Sequence, residues 1–451
     1  MDKDGTGAAP PRRASVYTLG CRLNQAESRM IEDRLRSAGY TLVPFGAPAE
    51  LGVIHTCVVT REAEAKSRKT IHRFIREHPD ALVAVIGCYA QTAAEAIAAL
   101  DGVDLVLGND AKMRLPEFLP GLARGVPVVS CGRSGRDSFT VPFLSQGPPI
   151  HRRVNLKIQD GCDAMCSYCY IPFARGRSRS RVFEDVIAEA SALLARGAKE
   201  LVLTGVNIGD YRDEGRGLTA LIDRLNTLGP QPRLRISSIE LSNLPGTLLE
   251  RMADPGHGLV PYLHVPLQSG SDAVLNAMRR PYTAEEYAAF MRRAARAVPG
   301  IGLSADVMAG FPGETQGDFQ QTCDLIEQSP LFHLHVFQYS EREEVASARF
   351  PNKIAQETIR DRSKTLIRLA AEKKHVFYAS AVGTIRPVLF ESRRGDFWFG
   401  HTDNYLDVCV SSMESLENCL AWVLIEESRG EMLYGTVRSV QCLPKEKAPL
   451  E

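Results

Sequence analysis

Two series of alternating strand-like and helix-like segments constrain the fold of this chain more than any other feature. The first runs from Val16 to Asn109 and contains four short apolar runs, "ASVYTL", "GVIH", "ALVAVI" and "VDLVLG". The second runs from Arg152 to Lys374 and contains six: "VNLKIQ", "ELVLTGV", "LRISSI", "YLHVPL", "GLSADVMAG" and "HLHVFQYS". Strands that alternate with helices form parallel sheets with helices on their faces, so we predict an α/β protein.

These patterns also predict the domain organisation. The first series predicts a doubly wound parallel-sheet domain over residues 14–125. The second has too few units for a closed eight-stranded barrel, so we predict a partial (β/α)6 barrel over 148–378, after a linker at 126–147. Short strands separated by turns predict a small all-β barrel over 379–445. We expect residues 1–13 to be a disordered lead-in.

Composition narrows the class of protein. The chain has 451 residues, a hydrophobic content of 44% and a net charge of +0. Its longest apolar run, Ala81–Ala90, is too short to span a membrane, and the N-terminus lacks the apolar core of a secretion signal. We therefore expect a cytoplasmic protein, in which clustered cysteines bind metal more often than they form disulfides. Because the net charge is zero, any binding of nucleic acid must depend on local basic patches of the surface.

Three cysteines of the first series occupy equivalent positions. Cys21 follows the first strand, Cys57 the second and Cys88 the third. Because ligands bind at the carboxyl ends of parallel strands, where successive loops converge, we expect these three thiols to meet in space. The alternative is that they are ordinary buried cysteines.

A second group of three cysteines follows the first strand of the second series. Residues 160–172 read "DGCDAMCSYCYIP", which places Cys162, Cys166 and Cys169 in one short loop. Structural zinc normally takes four ligands, usually from two separated pairs. A 4Fe–4S cluster held by three thiolates keeps one iron open for a small molecule. Three cysteines could bind either zinc or a 4Fe–4S cluster, and the absence of a fourth ligand in this loop favours the cluster.

The spacing of this loop, with the aromatic Tyr168 before its last cysteine, resembles the radical S-adenosylmethionine (SAM) superfamily. The resemblance implies a 4Fe–4S cluster whose open iron chelates SAM, which is then cleaved to a radical. It also implies SAM contacts in "LTGVNIG", "LHVPLQSGSD" and "DVMAGFPGET", at Thr204, Gly205, Asn207, Gln268, Asp306 and Gly310. The alternative for each is a turn that closes a strand–helix unit.

The chain as a whole resembles the methylthiotransferases of that superfamily, which join a three-cysteine domain, a radical SAM barrel and an RNA-binding β-domain called TRAM. The resemblance implies two 4Fe–4S clusters. Cys162, Cys166 and Cys169 would hold the radical cluster, and Cys21, Cys57 and Cys88 an auxiliary cluster that offers sulfur; all six cysteines would be catalytic. It also implies an electron donor such as flavodoxin or ferredoxin, and a sulfur source.

Three segments resemble one branch of this family. "LGCRLNQAES", "TCVVTREAEAKSR" and "KIQDGCDAMCSYCYIPFARGRSRSR" are similar to enzymes that modify threonylcarbamoyladenosine next to the tRNA anticodon. The substrate is thus expected to be the anticodon stem-loop of a tRNA. The alternatives are isopentenyladenosine in tRNA, an aspartate of a ribosomal protein, or a non-enzymatic iron–sulfur protein that binds RNA.

Two regions are candidates for RNA contact. In "ARGRSRSR", arginines alternate, so an extended segment would point all of them to one face, where they suit phosphates and bases: Arg175, Arg177, Arg179 and Arg181. From Ile385 to Glu451, seven basic residues face eleven acidic ones, a poor electrostatic grip on RNA. That region still has a local basic and aromatic patch: Arg386, Arg393, Arg394, Phe397, Trp398 and Phe399.

Overall fold

A computed structural model gives the fold of the chain. It describes residues 12–132, 135, 137–143, 147, 149–150, 152–229 and 231–441. Residues 1–11 of the predicted lead-in lie outside this range, and the first strand begins at Arg13. The described residues form two compact units. The first contains those up to 143 together with Asp160–Ala164 and Cys169–Arg181, and the second contains the rest.

The first unit is built around a six-stranded parallel sheet. Its strands are β1 (Arg13–Thr18), β2 (Thr41–Leu42), β3 (Leu51–Thr56), β4 (Leu82–Gly87), β5 (Leu105–Leu107) and β6 (Val128–Ser130). Its helices are α1 (Arg22–Ser37), α2 (Arg61–Glu77), α3 (Cys88–Thr92), α4 (Ala94–Ala98) and α5 (Leu115–Phe118), and the stretch after Cys169 adds α6 (Ile171–Arg175).

The strand order of this sheet is β2-β1-β3-β4-β5-β6, with every pairing parallel. The order reverses at β1, so the topological switch lies between β1 and β3, where doubly wound sheets bind ligands. Core clusters of apolar side chains include alternate residues of the same strands, with Val53 in one cluster and Ile54 in another. This confirms the predicted doubly wound domain, with the short outer strands β2 and β6 added to the four that were predicted.

The second unit begins with the strands and helices of the second series. Asp160 of the short strand β8 (Gln159–Asp160) and the whole of β9 (Arg179–Ser180) belong to the first unit. The second unit contains a short hairpin of β11 (Arg212–Asp213) and β12 (Arg216–Gly217). The main strands are β7 (Val154–Lys157), β10 (Glu200–Thr204), β13 (Arg233–Ile236), β14 (Tyr262–His264), β15 (Gly302–Ala309) and β16 (His333–Gln338). The helices are α7 (Phe183–Ala195), α8 (Leu218–Asn226), α9 (Leu248–Ala253), α10 (Asp272–Ala277), α11 (Ala284–Ala297), α12 (Gln316–Gln328) and α13 (Gln356–Ser380).

The six main strands form an open barrel, as predicted. Two three-stranded parallel sheets, β13-β10-β7 and β14-β15-β16, are joined by the isolated bridges Leu234–Leu259 and Ser238–His264. Successive residues of a strand face opposite sides. On β15, Leu303 and Ala305 pack in the core beneath the helices, so Ser304 and Asp306 face the barrel interior. The interior is therefore lined by polar side chains.

The C-terminal part of the second unit is a closed five-stranded barrel of order β17-β18-β19-β21-β20. Its strands are β17 (Ile385–Arg394), β18 (Phe397–Thr402), β19 (Asp407–Ser411), β20 (Leu420–Arg429) and β21 (Met432–Gln441). Closure leaves no unpaired edge strand. These five short strands confirm the predicted small all-β barrel.

A buried arginine of the larger barrel, Arg235, binds both a carboxylate of that barrel and a backbone carbonyl of the small barrel. Arg235 donates from Nε to Glu200 Oε1 at 2.6 Å and from Nη1 to the Asp403 carbonyl at 3.0 Å. Its guanidinium also lies 4.7 Å from the ring centre of Tyr405. The pKa of Glu200 is lowered: burial opposes this shift, and the charges of Arg235 and Arg233 outweigh it. None of the described helices is long and apolar enough to cross a membrane.

Candidate functional site

The structure brings the three N-terminal cysteines together at the carboxyl edge of the first sheet. Cys21 precedes α1, Cys57 follows β3 and Cys88 is the first residue of α3. Burial, together with the neighbouring thiols of Cys21 and Cys88, raises the pKa of the Cys57 thiol to about 11. Gly20 leaves room for this group, because a Cβ there would lie 2.9 Å from Cys57 Sγ.

Two amide side chains contact two of these thiols. Asn24 Oδ1 lies 3.8 Å from Cys21 Sγ, and Asn24 Nδ2 donates to the carbonyl of Leu19 at 2.8 Å. Asn109 Nδ2 lies 3.7 Å from Cys88 Sγ. Amide dipoles fixed in this way orient the sulfur atoms and act on any metal that they bind.

A fully buried charge cluster lies beneath these amides. Lys112 Nζ donates to Glu27 Oε2 at 2.5 Å and to Asn109 Oδ1 at 2.7 Å. Arg175 also binds Glu27, through Nη2 at 3.0 Å. The pKa of Arg175 is raised: burial opposes this, and the charges of Cys88, Glu27 and Asp160 outweigh it. Burial raises the pKa of the Cys21 thiol, and the nearby charge of Arg175 opposes this rise, which favours the thiolate that binds metal.

Four residues of this surrounding were not predicted from the sequence: Asn24, Glu27, Asn109 and Lys112. One signal was present in the sequence: Asn24 stands three residues after Cys21 and Glu27 three residues after Asn24, and residues three apart on a helix are neighbours. Asn109 and Lys112 come from a loop after β5 and carried no such signal.

The burial of Arg175 and Arg181 corrects the prediction that four arginines share one RNA-facing side. The segment is not extended throughout: α6 ends at Arg175, and Gly176 turns the chain with φ of 80°. Arg175 and Arg181 are buried. Arg177 is exposed, 3.4 Å from Asp163 Oδ1, and Arg179 is partly buried. Of these four arginines, Arg177 and Arg179 stay candidates for RNA contact.

The loop of Cys162, Cys166 and Cys169 follows β7, as predicted, and its thiols are partly exposed. In the first unit, Cys162 N donates to the Gly176 carbonyl at 3.2 Å, and Cys162 Sγ accepts from Ala164 N at 3.5 Å. In the second, Cys166 Sγ accepts from Arg280 Nη1 at 3.4 Å. These bonds fix the backbone at Cys162 and place a guanidinium beside Cys166.

The first SAM-contact candidates lie at the end of β10. Gln159 Oε1 accepts from Val206 N at 2.8 Å and from Asn207 N at 2.9 Å. Gly205 is needed here, because a Cβ would lie 2.7 Å from Gln159 Oε1. Asn207 Oδ1 is buried with no hydrogen-bond partner among the described residues, whereas Thr204 Oγ1 donates to the carbonyl of Val202. An unpaired buried oxygen suits contact with a ligand amino group.

The remaining candidates lie after β14 and β15. Gln268 has a φ of 68°, which is unusual for a non-glycine residue, and its backbone N donates to the Asp306 carbonyl at 2.8 Å. Gly310 has a φ of 81°, and a Cβ there would lie 2.3 Å from Ile359 Cγ1. The turn conformation is therefore enough to explain why position 310 is a glycine. Strained backbone, as at Gln268, is typical of functional positions.

Several polar side chains inside the open barrel lie around Asp306. His264 Nε2 lies 3.1 Å from Asp306 Oδ1, and His264 Nδ1 lies 2.9 Å from Ser304 Oγ. Donor atoms of His264, Asp306 and His335 lie within 4.8 Å of one another, close enough to hold a metal ion or a polar ligand. The pKa of Asp306 is lowered: burial opposes this, and His264 outweighs it. Neither histidine was predicted from the sequence, although both alternate with apolar residues on β14 and β16, which is a signal for a shared interior face.

The basic and aromatic patch predicted in the C-terminal region lies on the β17–β18 hairpin. The Arg393 guanidinium is 5.7 Å from the Trp398 ring centre, and that of Arg394 is 5.4 Å from Phe399. Phe397 is 44% exposed. Such a surface can stack bases and contact phosphates without net positive charge on the domain.

Comparison with known proteins agrees with this geometry. Residues 156–326 match the Radical SAM superfamily, and residues 13–108 match "Uncharacterized protein family UPF0004". The radical SAM methyltransferase TsrM from Kitasatospora setae has a similar fold, with a TM-score of 0.52, 15% identity and coverage of 75% of this chain and 77% of that one. The family match over 156–326, which includes the cysteine loop, defines the class as a radical SAM protein.

Curated relatives narrow the assignment. The chain is 35% identical over 416 residues to the threonylcarbamoyladenosine tRNA methylthiotransferase MtaB of Bacillus subtilis, covering 89% of this chain and 91% of the relative. It is 34% identical over 388 residues to a tRNA-2-methylthio-N(6)-dimethylallyladenosine synthase of Cereibacter sphaeroides, covering 84% and 87%. The chain belongs to the radical SAM methylthiotransferase family.

Proposed function

We propose that this protein is a tRNA methylthiotransferase that converts N6-threonylcarbamoyladenosine, next to the anticodon, to its 2-methylthio derivative. The observation that carries the proposal is the combination of near full-length similarity to the Bacillus subtilis enzyme with three thiols that meet in the first unit. The Aquifex aeolicus relative with the same name, 33% identical over 404 residues, supports the same substrate.

The six cysteines have the chemistry to hold two 4Fe–4S clusters, each with three protein ligands. We assign the auxiliary cluster to Cys21, Cys57 and Cys88 in the domain predicted over 14–125, whose sheet also takes β6 (Val128–Ser130) from the predicted linker. We assign the radical cluster to Cys162, Cys166 and Cys169 in a domain spanning 148–378. Three thiolates per cluster keep one iron open for an exogenous ligand. When bound, the clusters and SAM supply the radical that activates a C–H bond and the sulfur that is inserted there.

The chain's own residues bind and orient the reactants. Asn207 Oδ1, unpaired and buried, is a fitting acceptor for the SAM amino group, and Gln159 fixes the loop that presents it. Arg280 donates to Cys166 Sγ. Asp306, held by His264, faces the barrel interior, where its carboxylate can accept hydrogen bonds from SAM or from the substrate.

RNA contact is assigned to two regions. Arg177 and Arg179 follow the radical-cluster loop. The β17–β18 hairpin of the TRAM-like domain, spanning 379–445, offers the exposed Phe397 opposite Arg394. We further infer that the reaction takes place in the cytoplasm, where tRNA is available, with electrons from a flavodoxin or ferredoxin and sulfur from a separate source.

Nucleoside analysis of a deletion strain tests the proposal. The bulk tRNA should lose 2-methylthio-threonylcarbamoyladenosine and accumulate its unmodified precursor. Expression of the wild-type chain should restore the modified nucleoside, and the Cys88→Ala variant should not. A deletion strain with an unchanged amount of this nucleoside would contradict the proposed substrate.

The second candidate substrate is isopentenyladenosine in tRNA. It is favoured by the Cereibacter sphaeroides relative, whose 34% identity is nearly that of the Bacillus subtilis enzyme. The same nucleoside analysis separates the two, because in this case the methylthio form of isopentenyladenosine would disappear instead.

A further inference from the structure

Helix α6 connects the radical-cluster loop to the auxiliary cysteine site within the first unit. The helix starts two residues after Cys169 and ends at Arg175, whose side chain is 1% exposed. Arg175 Nη1 donates to Asp160 Oδ1 at 2.9 Å, and Asp160 stands two residues before Cys162. The same guanidinium thus spans both ends of the loop that carries Cys162 and Cys169.

The other side of this guanidinium binds the auxiliary site. Arg175 Nη2 donates to Asn24 Oδ1 at 2.6 Å and to Glu27 Oε2 at 3.0 Å. Asn24 is the residue whose amide contacts Cys21 Sγ. One side chain therefore joins the loop ends to the helix that follows Cys21.

A second contact links the same helix to Cys88. The carbonyl of Ala174 accepts from Asn109 Nδ2 at 2.7 Å, and this nitrogen also lies 3.7 Å from Cys88 Sγ. Lys112 donates to the other amide atom, Asn109 Oδ1, and so fixes its orientation. The final turn of α6 is consequently bonded to residues that contact two of the three auxiliary thiols.

Packing alone does not explain this arrangement. Burial of Arg175, Lys112 and Glu27 costs desolvation energy that apolar side chains of similar volume would avoid. The planar fork of arginine gives what apolar packing cannot, namely several directional bonds to groups from separate segments. Such a network fixes relative position, which is what two reacting centres require.

We propose that α6, through Arg175, holds the radical-cluster loop in a fixed position against the auxiliary cysteine site and so couples SAM cleavage to methylthio transfer. Arg175 is a positioning residue in this account, and the inference rests on the proposed function. It predicts that weakening this bridge uncouples the two half-reactions, so that SAM is cleaved without formation of product.

The test compares Arg175→Lys with the wild-type chain after anaerobic reconstitution. Lysine keeps the charge but loses the fork, so both proteins should hold about eight irons per chain. The ratio of 5′-deoxyadenosine to methylthio product should rise about tenfold in the variant, because small misplacements of reacting groups reduce rates strongly. A wild-type ratio in Arg175→Lys would overturn the proposal, as would loss of half the iron, which would make Arg175 a requirement for cluster retention instead.

A readout without clusters uses amide hydrogen exchange of the cluster-free protein. Exchange in the segment 160–176, where Cys162 N is bonded to the Gly176 carbonyl, should be faster in Arg175→Lys. The matched control is Arg235→Met, which removes a different fully buried, carboxylate-paired arginine. It should change neither the exchange of this segment nor the product ratio, and an equal change in both variants would contradict a specific role for Arg175.

The failure of the proposed function has a different signature. Wild-type protein that holds both clusters and forms no 5′-deoxyadenosine, or forms it and modifies no tRNA, would refute the function. The Arg175→Lys variant is compared with a wild-type chain that both cleaves SAM and modifies tRNA. Failure of the proposed function therefore shows in the wild-type chain, and failure of the Arg175 proposal shows only in the variant.

Discussion

Gly20 offers the sharpest test of the auxiliary cysteine site. It adopts a φ of 99°, and a Cβ at this position would lie 2.8 Å from Cys57 Cβ and 2.9 Å from Cys57 Sγ. Ordinary van der Waals contact begins at 3.4 Å, so Gly20→Ala would require the sulfur to move by about 0.5 Å. Metal–ligand distances tolerate only about 0.2 Å of deviation. The substitution should therefore damage the cluster site.

The energetic cost has two parts that can be measured separately. The left-handed backbone at Gly20 costs an alanine about 1–2 kcal/mol, and the overpacking against Cys57 adds about 1–3 kcal/mol. Gly39 provides the matched control, because its φ is 87° and a Cβ there would meet nothing within 4 Å. Gly39→Ala therefore carries the backbone strain without the contact.

The assay is iron and sulfide analysis after anaerobic reconstitution, with SAM cleavage measured in parallel. Gly20→Ala should hold about four irons per chain and Gly39→Ala about eight, since one cubane cluster contains four. Gly20→Ala should still form 5′-deoxyadenosine, because Cys162, Cys166 and Cys169 are unchanged, but it should form no methylthio product. Full iron content and normal product formation in Gly20→Ala would refute the reasoning.

Three further predictions follow from other parts of the structure. Glu200→Gln should lower the free energy of unfolding in urea by about 3–5 kcal/mol, because it leaves Arg235 buried without its carboxylate. The pKa of Glu200 is lowered on folding, so the stability that Glu200 contributes should be present above about pH 4.3 and be lost as the pH falls below that value. Asn207→Ala should raise the KM for SAM about tenfold with unchanged iron content, as expected for one lost hydrogen bond to a charged group; an unchanged KM would exclude the contact. Phe397→Ala should weaken binding of an anticodon stem-loop about 5- to 100-fold, whereas Val440→Ala, on the exposed part of another strand, should not; equal affinities would remove the hairpin from the RNA interface.

The sequence predicted most of the fold because local patterns determine it. Each predicted strand of the first series is present within one or two residues, and the doubly wound topology places Cys21, Cys57 and Cys88 at one edge of the sheet. This convergence followed from a general rule about parallel sheets and needed no knowledge of individual contacts. The short edge strands β2 and β6 were missed because two or three residues carry too little periodicity.

The parts that were missed depend on long-range contacts. Arg175 and Arg181 were expected on an exposed face, yet the partners of Arg175 at Glu27 and Asn24 come from nearly 150 residues away in the sequence. Lys112 and Asn109 likewise have roles only because the fold brings them to Glu27 and Cys88. Alternation in a sequence shows which residues share a side of an extended segment, but burial is decided by what packs there.

The most direct test of the central claim uses the purified, reconstituted chain and two anticodon stem-loop RNAs. One RNA carries threonylcarbamoyladenosine and the other isopentenyladenosine at the same position, and both are incubated with SAM and a reductant under anaerobic conditions. Mass spectrometry of the nucleosides should show one methylthio group in place of one hydrogen on threonylcarbamoyladenosine, with little change in isopentenyladenosine. Modification of isopentenyladenosine alone, or of neither RNA by a chain that holds both clusters, would contradict the account.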